Sequence, residues 1–80
     1  MRYSKVDALA LIRNLIFQVN GALPEKVAPD ASLIKDLLMD SVELIDLLMR
    51  LEEHEIFLKE SDITSALTVS KLADIVAGSH

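Results

Sequence analysis

The sequence predicts an all-α bundle of three longer helices and one short one, and three observations carry that prediction. Apolar residues recur at spacings of three and four over residues 4–20 and again from residue 40 onward, the period of a helix with one face against a core. No stretch alternates with the period of two that a half-buried strand requires. Residues that cap helices stand directly before each of the longer apolar runs.

The first helix is expected over residues 4–20, with Val6, Leu9, Ile12, Leu15, Ile16 and Val19 marking its inner face. Ser4 and Asp7 resemble a capping box, an oxygen at each end satisfying first-turn amides, and Gly21 supplies a C-terminal stop. From residue 21 to about 33 the pattern breaks. Gly21, Pro24, Pro29 and the Asp30-Ala31-Ser32 cluster mark a long loop, which Leu23, Val27 and Leu33 are placed to pin onto a core. A loop of that length in so small a domain is usually functional or spans the length of a bundle.

The second long helix starts at Asp40-Ser41, where Asp40 and Glu43 form another capping pair, and runs to about His54. A short helical piece is expected over residues 60–65. Thr68 then caps a last helix over residues 69–76, ended by Gly78. Ile63 with Leu58 and Leu67 is expected to close the core around the short piece, and Phe17 and Phe57 to pack within it.

Composition bounds the function. Eighty residues make one small domain, residues 1–80, and 8 Lys and Arg against 13 Asp and Glu leave a net charge of −5. With no cysteine, neither a disulfide nor a thiolate zinc site is available. The longest apolar run is five residues, 8–12, far short of the roughly 20 that a membrane span needs. The start, Met1-Arg2-Tyr3-Ser4-Lys5, does not lead into the apolar stretch of a signal peptide, so a cytoplasmic setting is expected. Acidity disfavours nucleic acid and anionic membrane surfaces, and favours basic protein partners.

The second long helix carries the functional signal. At about 100° per residue, Leu44, Leu47, Leu48 and Leu51 fall on one stripe, the expected core face. Val42, Ile45 and Met49 gather on another side beside Ser41, with Glu43, Asp46, Arg50 and Glu53 between the two. A surface helix needs only one apolar stripe. The helix is buried on two sides, or the second stripe receives a partner or ligand chain, a use that suits Met, or both hold in different states. Ser41 is read as a helix cap or as a site of modification by an external enzyme. It is not read as a nucleophile of this chain's own, because the only histidines, His54 and His80, give no triad geometry. Glu52-Glu53-His54-Glu55 clusters potential ligands on different helical faces, so no metal site is expected.

The run Asp36-Leu37-Leu38-Met39-Asp40-Ser41-Val42-Glu43-Leu44-Ile45-Asp46-Leu47 resembles the D-L-x-x-D-S-L-x-x-[VI]-E-L signature of acyl carrier proteins. Leu51-Glu52-Glu53 resembles the segment that closes the same helix in that family, and the long loop and the Thr68-Val69 entry to the last helix match its layout. The resemblance implies a four-helix acyl-carrier bundle and a carrier in place of a catalyst. It implies that a dedicated transferase, using coenzyme A and magnesium, esterifies Ser41 with 4′-phosphopantetheine, whose thiol then holds an acyl group as a thioester. Asp40 would lie beside the phosphate during that transfer. Val42, Ile45 and Met49 would make the apolar contact in partner enzymes, and Glu43, Asp46, Glu52 and Glu53 would meet basic residues there. The partners implied are the phosphopantetheinyl transferase, an acyl- or aminoacyl-activating ligase, and acyl-transferring or condensing enzymes of fatty-acid, polyketide or related biosynthesis, visited by a monomer. The short helix would also form one wall of an acyl pocket.

The sequence departs from the family pattern in two places. Leu38 occupies a position that is often Gly, where an isobutyl group would stiffen or shield the approach to Ser41, and the segment after Leu51-Glu52-Glu53 lacks a frequent Ile-Pro step. These mark a divergent, stand-alone carrier. An aminoacyl or peptidyl carrier, a carrier-like interaction subunit that is never modified, and an unrelated helical adaptor are the alternatives.

Overall fold

Ser4 opens the first helix, α1 (Lys5–Asn20), by accepting the Asp7 amide on its Oγ at 3.1 Å, the Ser4 half of the expected box. Ala8, Ile12, Leu15 and Ile16 form its buried face. Gly21 ends it at φ 85°, donating its amide to the Phe17 carbonyl; only a residue without a β-carbon adopts that backbone without strain. The computed structural model describes residues 3–78. Met1, Arg2, Ser79 and His80 lie outside them, and with them the start of the N-terminal segment and the terminal histidine.

The long loop that follows holds one 3-10 turn, Pro24–Lys26, and buries Val27 and Leu33, whereas Leu23 stays partly exposed. Backbone pairing fixes its second half to the entry of the last helix. Ser32 and Thr68 form an isolated antiparallel bridge, the Leu33 amide donates to the Leu67 carbonyl at 3.2 Å and the Val69 amide to the Ala31 carbonyl at 3.0 Å. Ser32, a buried polar residue, is fully used: its Oγ donates to the Ser65 carbonyl and accepts the Lys35 amide, and its own amide donates to Asp36.

Two further helices complete the set, α2 (Ser41–Glu53) and α3 (Val69–Gly78), the latter capped by Thr68 Oγ1 on the Lys71 amide. α1 packs on both, most extensively on α3, while the backbones of α2 and α3 make no close approach to one another. One core spans the described residues. Its largest fully buried side chains are Ile12, Ile16, Leu33, Leu47, Leu51, Ile56, Val69, Leu72 and Val76.

The short helix expected over residues 60–65 is instead a single 3-10 turn, Glu60–Asp62. Local side-chain bonds explain why it stops. Beyond the turn, Thr64 Oγ1 accepts the Ala66 amide, an alternative to helical pairing that Thr readily provides, while Asp62 accepts the Lys59 amide at the start of the turn. Leu67 is buried there, with Leu58 and Ile63 half-buried against the core. Phe17 and Phe57 are not core residues; both are exposed, as is Val6, because α1 turns Val6 and Phe17 to the side opposite its buried face and Phe57 follows the buried Ile56 in an irregular segment.

Candidate functional site: the outward face of α2

The N-terminus of α2 is built by a complete capping box. Asp40 Oδ1 accepts the Glu43 amide at 2.8 Å, and Glu43 Oε1 accepts the Asp40 amide at 3.3 Å while also taking Asn20 Nδ2 at 3.0 Å. That arrangement fixes where α2 begins and therefore where Ser41, its first residue, stands. The turn before it is equally set: the Asp36 and Leu37 amides both donate to the Ser32 carbonyl, and the Met39 amide donates to the Leu33 carbonyl with Met39 itself buried.

Ser41 is exposed, at the end of the helix where first-turn amides have no intrahelical acceptor and the helix dipole is positive. A hydroxyl presented there suits a phosphodiester, whose charge the helix end favours. Asp40 keeps its carboxylate in the cap and leaves the Ser41 hydroxyl open to solvent.

α2 divides its apolar residues as the second reading requires. Leu47 and Leu51 are buried against α1 and the core, and Leu44 is half-buried. Val42, Ile45 and Met49 are 73%, 57% and 61% exposed. The helix is therefore not buried on two sides. Leu48, expected on the core stripe, is half-buried and lines an open cleft of about 240 Å³ with Ser41, Leu44, Ile45 and Ile63. The segment after α2 thus shares a cleft with Ser41, a juxtaposition that no spacing along the chain foretells.

The carboxylates fall into two groups. Glu43 is held by the capping box and Asn20, and Asp46 takes Arg50 Nε at 3.1 Å, with Arg50 Nη1 donating to Gln18 Oε1 at 2.7 Å. Glu52 and Glu53 are exposed and, among the described residues, make no side-chain hydrogen bond or ion pair. The four-residue spacing of Asp46 and Arg50 was the signal for that pair.

The C-terminus of α2 closes without glycine. Glu55 lies in the left-handed region at φ 62°, its amide donates to the Glu52 carbonyl and the Ile56 amide to the Leu51 carbonyl, the two bonds of a Schellman motif. Leu51 and Ile56, the apolar pair of that motif, are both buried. His54, the C-cap, is exposed. Among the described residues no three His, Asp or Glu side chains gather as a metal site, and no helix is long and apolar enough to cross a membrane.

Comparison with known proteins agrees with this geometry. The family model described as "Phosphopantetheine attachment site" matches residues 10–76. The acyl carrier protein of Nitratidesulfovibrio vulgaris (strain DSM 19637 / Miyazaki F) is 36% identical over 66 residues, covering 82% of this chain and 84% of that protein. That of Buchnera aphidicola subsp. Acyrthosiphon pisum (strain Tuc7) is 35% identical over 66 residues, 81% of this chain and 82% of its own. With an exposed serine opening a helix that has an unburied apolar face, and matched over most of its length, the chain belongs to the acyl carrier protein family, whose members hold a covalent 4′-phosphopantetheine.

Proposed function

We propose that residues 1–80 form one carrier domain that bears its 4′-phosphopantetheine on Ser41 and delivers acyl thioesters to partner enzymes of fatty-acid, polyketide or related biosynthesis. The observation that carries this reading is the exposed Ser41 hydroxyl at the positive end of α2, beside three apolar side chains that the fold leaves in solvent. The chain acts as cosubstrate: the chemistry takes place in the partner.

In the loading step the Ser41 oxygen forms a bond to the phosphorus that carries pantetheine in coenzyme A. The bond to the adenosine bisphosphate breaks, and the hydroxyl proton passes to a base of the transferase. Asp40 holds the helix end in place, and the first-turn amides favour the phosphodiester. Once attached, the group supplies a terminal thiol for thioester formation.

Val42, Ile45 and Met49 give a partner an apolar centre, and Glu52 and Glu53 give it two free carboxylates at the far end of α2. Glu43 and Asp46, already bonded within the chain, act in docking mainly through their contribution to the negative field. Exposed charges of this kind raise the encounter rate and select partners, each adding little affinity. That behaviour suits a monomer that visits several cytoplasmic enzymes and leaves each quickly.

Intact mass after incubation with coenzyme A, magnesium and a broad-specificity phosphopantetheinyl transferase tests the proposal. The wild type is expected to gain one phosphopantetheine and Ser41→Ala none. A folded wild type that gains nothing beside an active control carrier overturns it.

A further inference from the structure

Leu38 occupies a backbone conformation that its side chain does not explain. Its φ of 55° lies in the left-handed region, where a β-carbon crowds the neighbouring carbonyl and glycine is the favoured residue. The turn itself has a structural purpose, since it allows Met39 to bury and donate to the Leu33 carbonyl before α2 begins. The leucine side chain has none: it is 75% exposed and is not part of the core. A strained, solvent-facing apolar residue is an outlier that points toward function.

Its position gives that function a form. Leu38 precedes Ser41 by three residues, at most about 11 Å of extended chain. The backbone on either side of it is pinned, by the Leu37 amide behind and by the Met39 amide and the Asp40 cap ahead, so the isobutyl group is held at the surface there. Leu38 and Val42, the two most exposed apolar residues near the site, bracket Ser41 in sequence. A protein that closes on the Ser41 hydroxyl must accommodate Leu38.

Resting on the carrier reading above, we propose that Leu38 is a specificity-determining residue of the Ser41 site. It acts by exclusion, admitting partner enzymes with an apolar recess at that point and hindering those whose docking face is flat there. Repulsive elements of this type separate partners that share the same attractive contacts.

The test compares phosphopantetheine loading of wild type, Leu38→Gly and Leu38→Asn by one broad-specificity transferase, with melting of each form followed in parallel. Gly removes both the strain and the projection, whereas Asn tolerates the left-handed backbone yet keeps a side chain of nearly leucine size. The expected result is a kcat/KM at least threefold above wild type for Leu38→Gly, arising in KM, with Leu38→Asn within twofold of wild type and neither variant melting lower. Equal loading of Leu38→Gly and wild type, slower loading of Leu38→Gly, or an Asn variant that gains as much as Gly overturns the inference while leaving the carrier reading standing. No loading of any form beside an active control carrier defeats the carrier reading, and this inference with it.

Discussion

The two apolar stripes of α2 are made of similar residues and meet opposite environments. Leu47 and Leu51 are removed from water, whereas Val42, Ile45 and Met49, on the same thirteen-residue helix, stay more than half exposed. Burying such a side chain fully would contribute about 1.5–3 kcal/mol, so a bundle in need of stability would be expected to use both stripes. This one uses the stripe that meets α1 and leaves the stripe beside Ser41 open. Hydrophobicity therefore does not mark the core here; angular position relative to α1 does. The surplus apolar face is available for transient burial by another molecule.

Substitutions that separate folding from docking sharpen this comparison. The largest effect is expected on the core side. Leu51→Ala removes a fully buried side chain that also closes the Schellman motif with Ile56, and is expected to destabilise by about 2–5 kcal/mol in urea titration. Its folded fraction at low temperature is expected to load at the wild-type rate. A loading defect in that folded fraction would show that the two faces are not independent.

The ends of α2 give smaller and opposite effects. Asp40→Ala deletes half of the capping box and is expected to destabilise by about 1 kcal/mol, read as a melting-point drop of roughly 4–8 °C for a domain of this size. Glu55→Gly relieves a left-handed residue at a helix C-terminus, where glycine is favoured, and is expected to stabilise by up to about 1 kcal/mol. Unchanged melting of Glu55→Gly would mean that the closing turn of α2 is unstrained.

These helix ends also show what was legible in the sequence. Ser4, Asp40 with Glu43, Thr68 and Gly21 are short-range signals, and each does what its type predicts. The separation of Val42, Ile45 and Met49 from Leu47 and Leu51 followed from helical angles alone. Val6 did not join the inner face of α1 because a chain of three-residue steps drifts: each falls about 60° short of a full turn, and Val6 ends on the side that carries Phe17. The pairing of residues 29–33 with 67–70 and the cleft that Ile63 shares with Ser41 are long-range features without a local sequence cue. The left-handed turn at Glu55 was hidden because the residue that usually announces it, glycine, is absent, and at Leu38 only the family resemblance marked a position that is often glycine.

Charge supplies a smaller expected effect on docking. Glu52→Gln with Glu53→Gln removes the two α2 carboxylates that have no partner among the described residues, and is expected to lower transferase kcat/KM about threefold at low ionic strength through slower association. The difference is expected to vanish by about 0.5 M salt, where screening shortens to a few ångströms. Asp46→Asn, which removes a carboxylate already paired with Arg50, is expected to stay within twofold of wild type. A larger effect of Asp46→Asn than of the double change would place the electrostatic contact at the middle of the helix.

The most direct test of the division between the two faces is transferase kcat/KM for Ile45→Ser, measured beside its melting temperature. Ile45 lies on the open face and also lines the cleft at Ser41. A fall of about fivefold or more is expected, equivalent to roughly 1 kcal/mol of lost apolar contact, with melting within about 2 °C of wild type. A kcat/KM equal to wild type, or a melting point lowered as far as that of a core variant, would contradict that division.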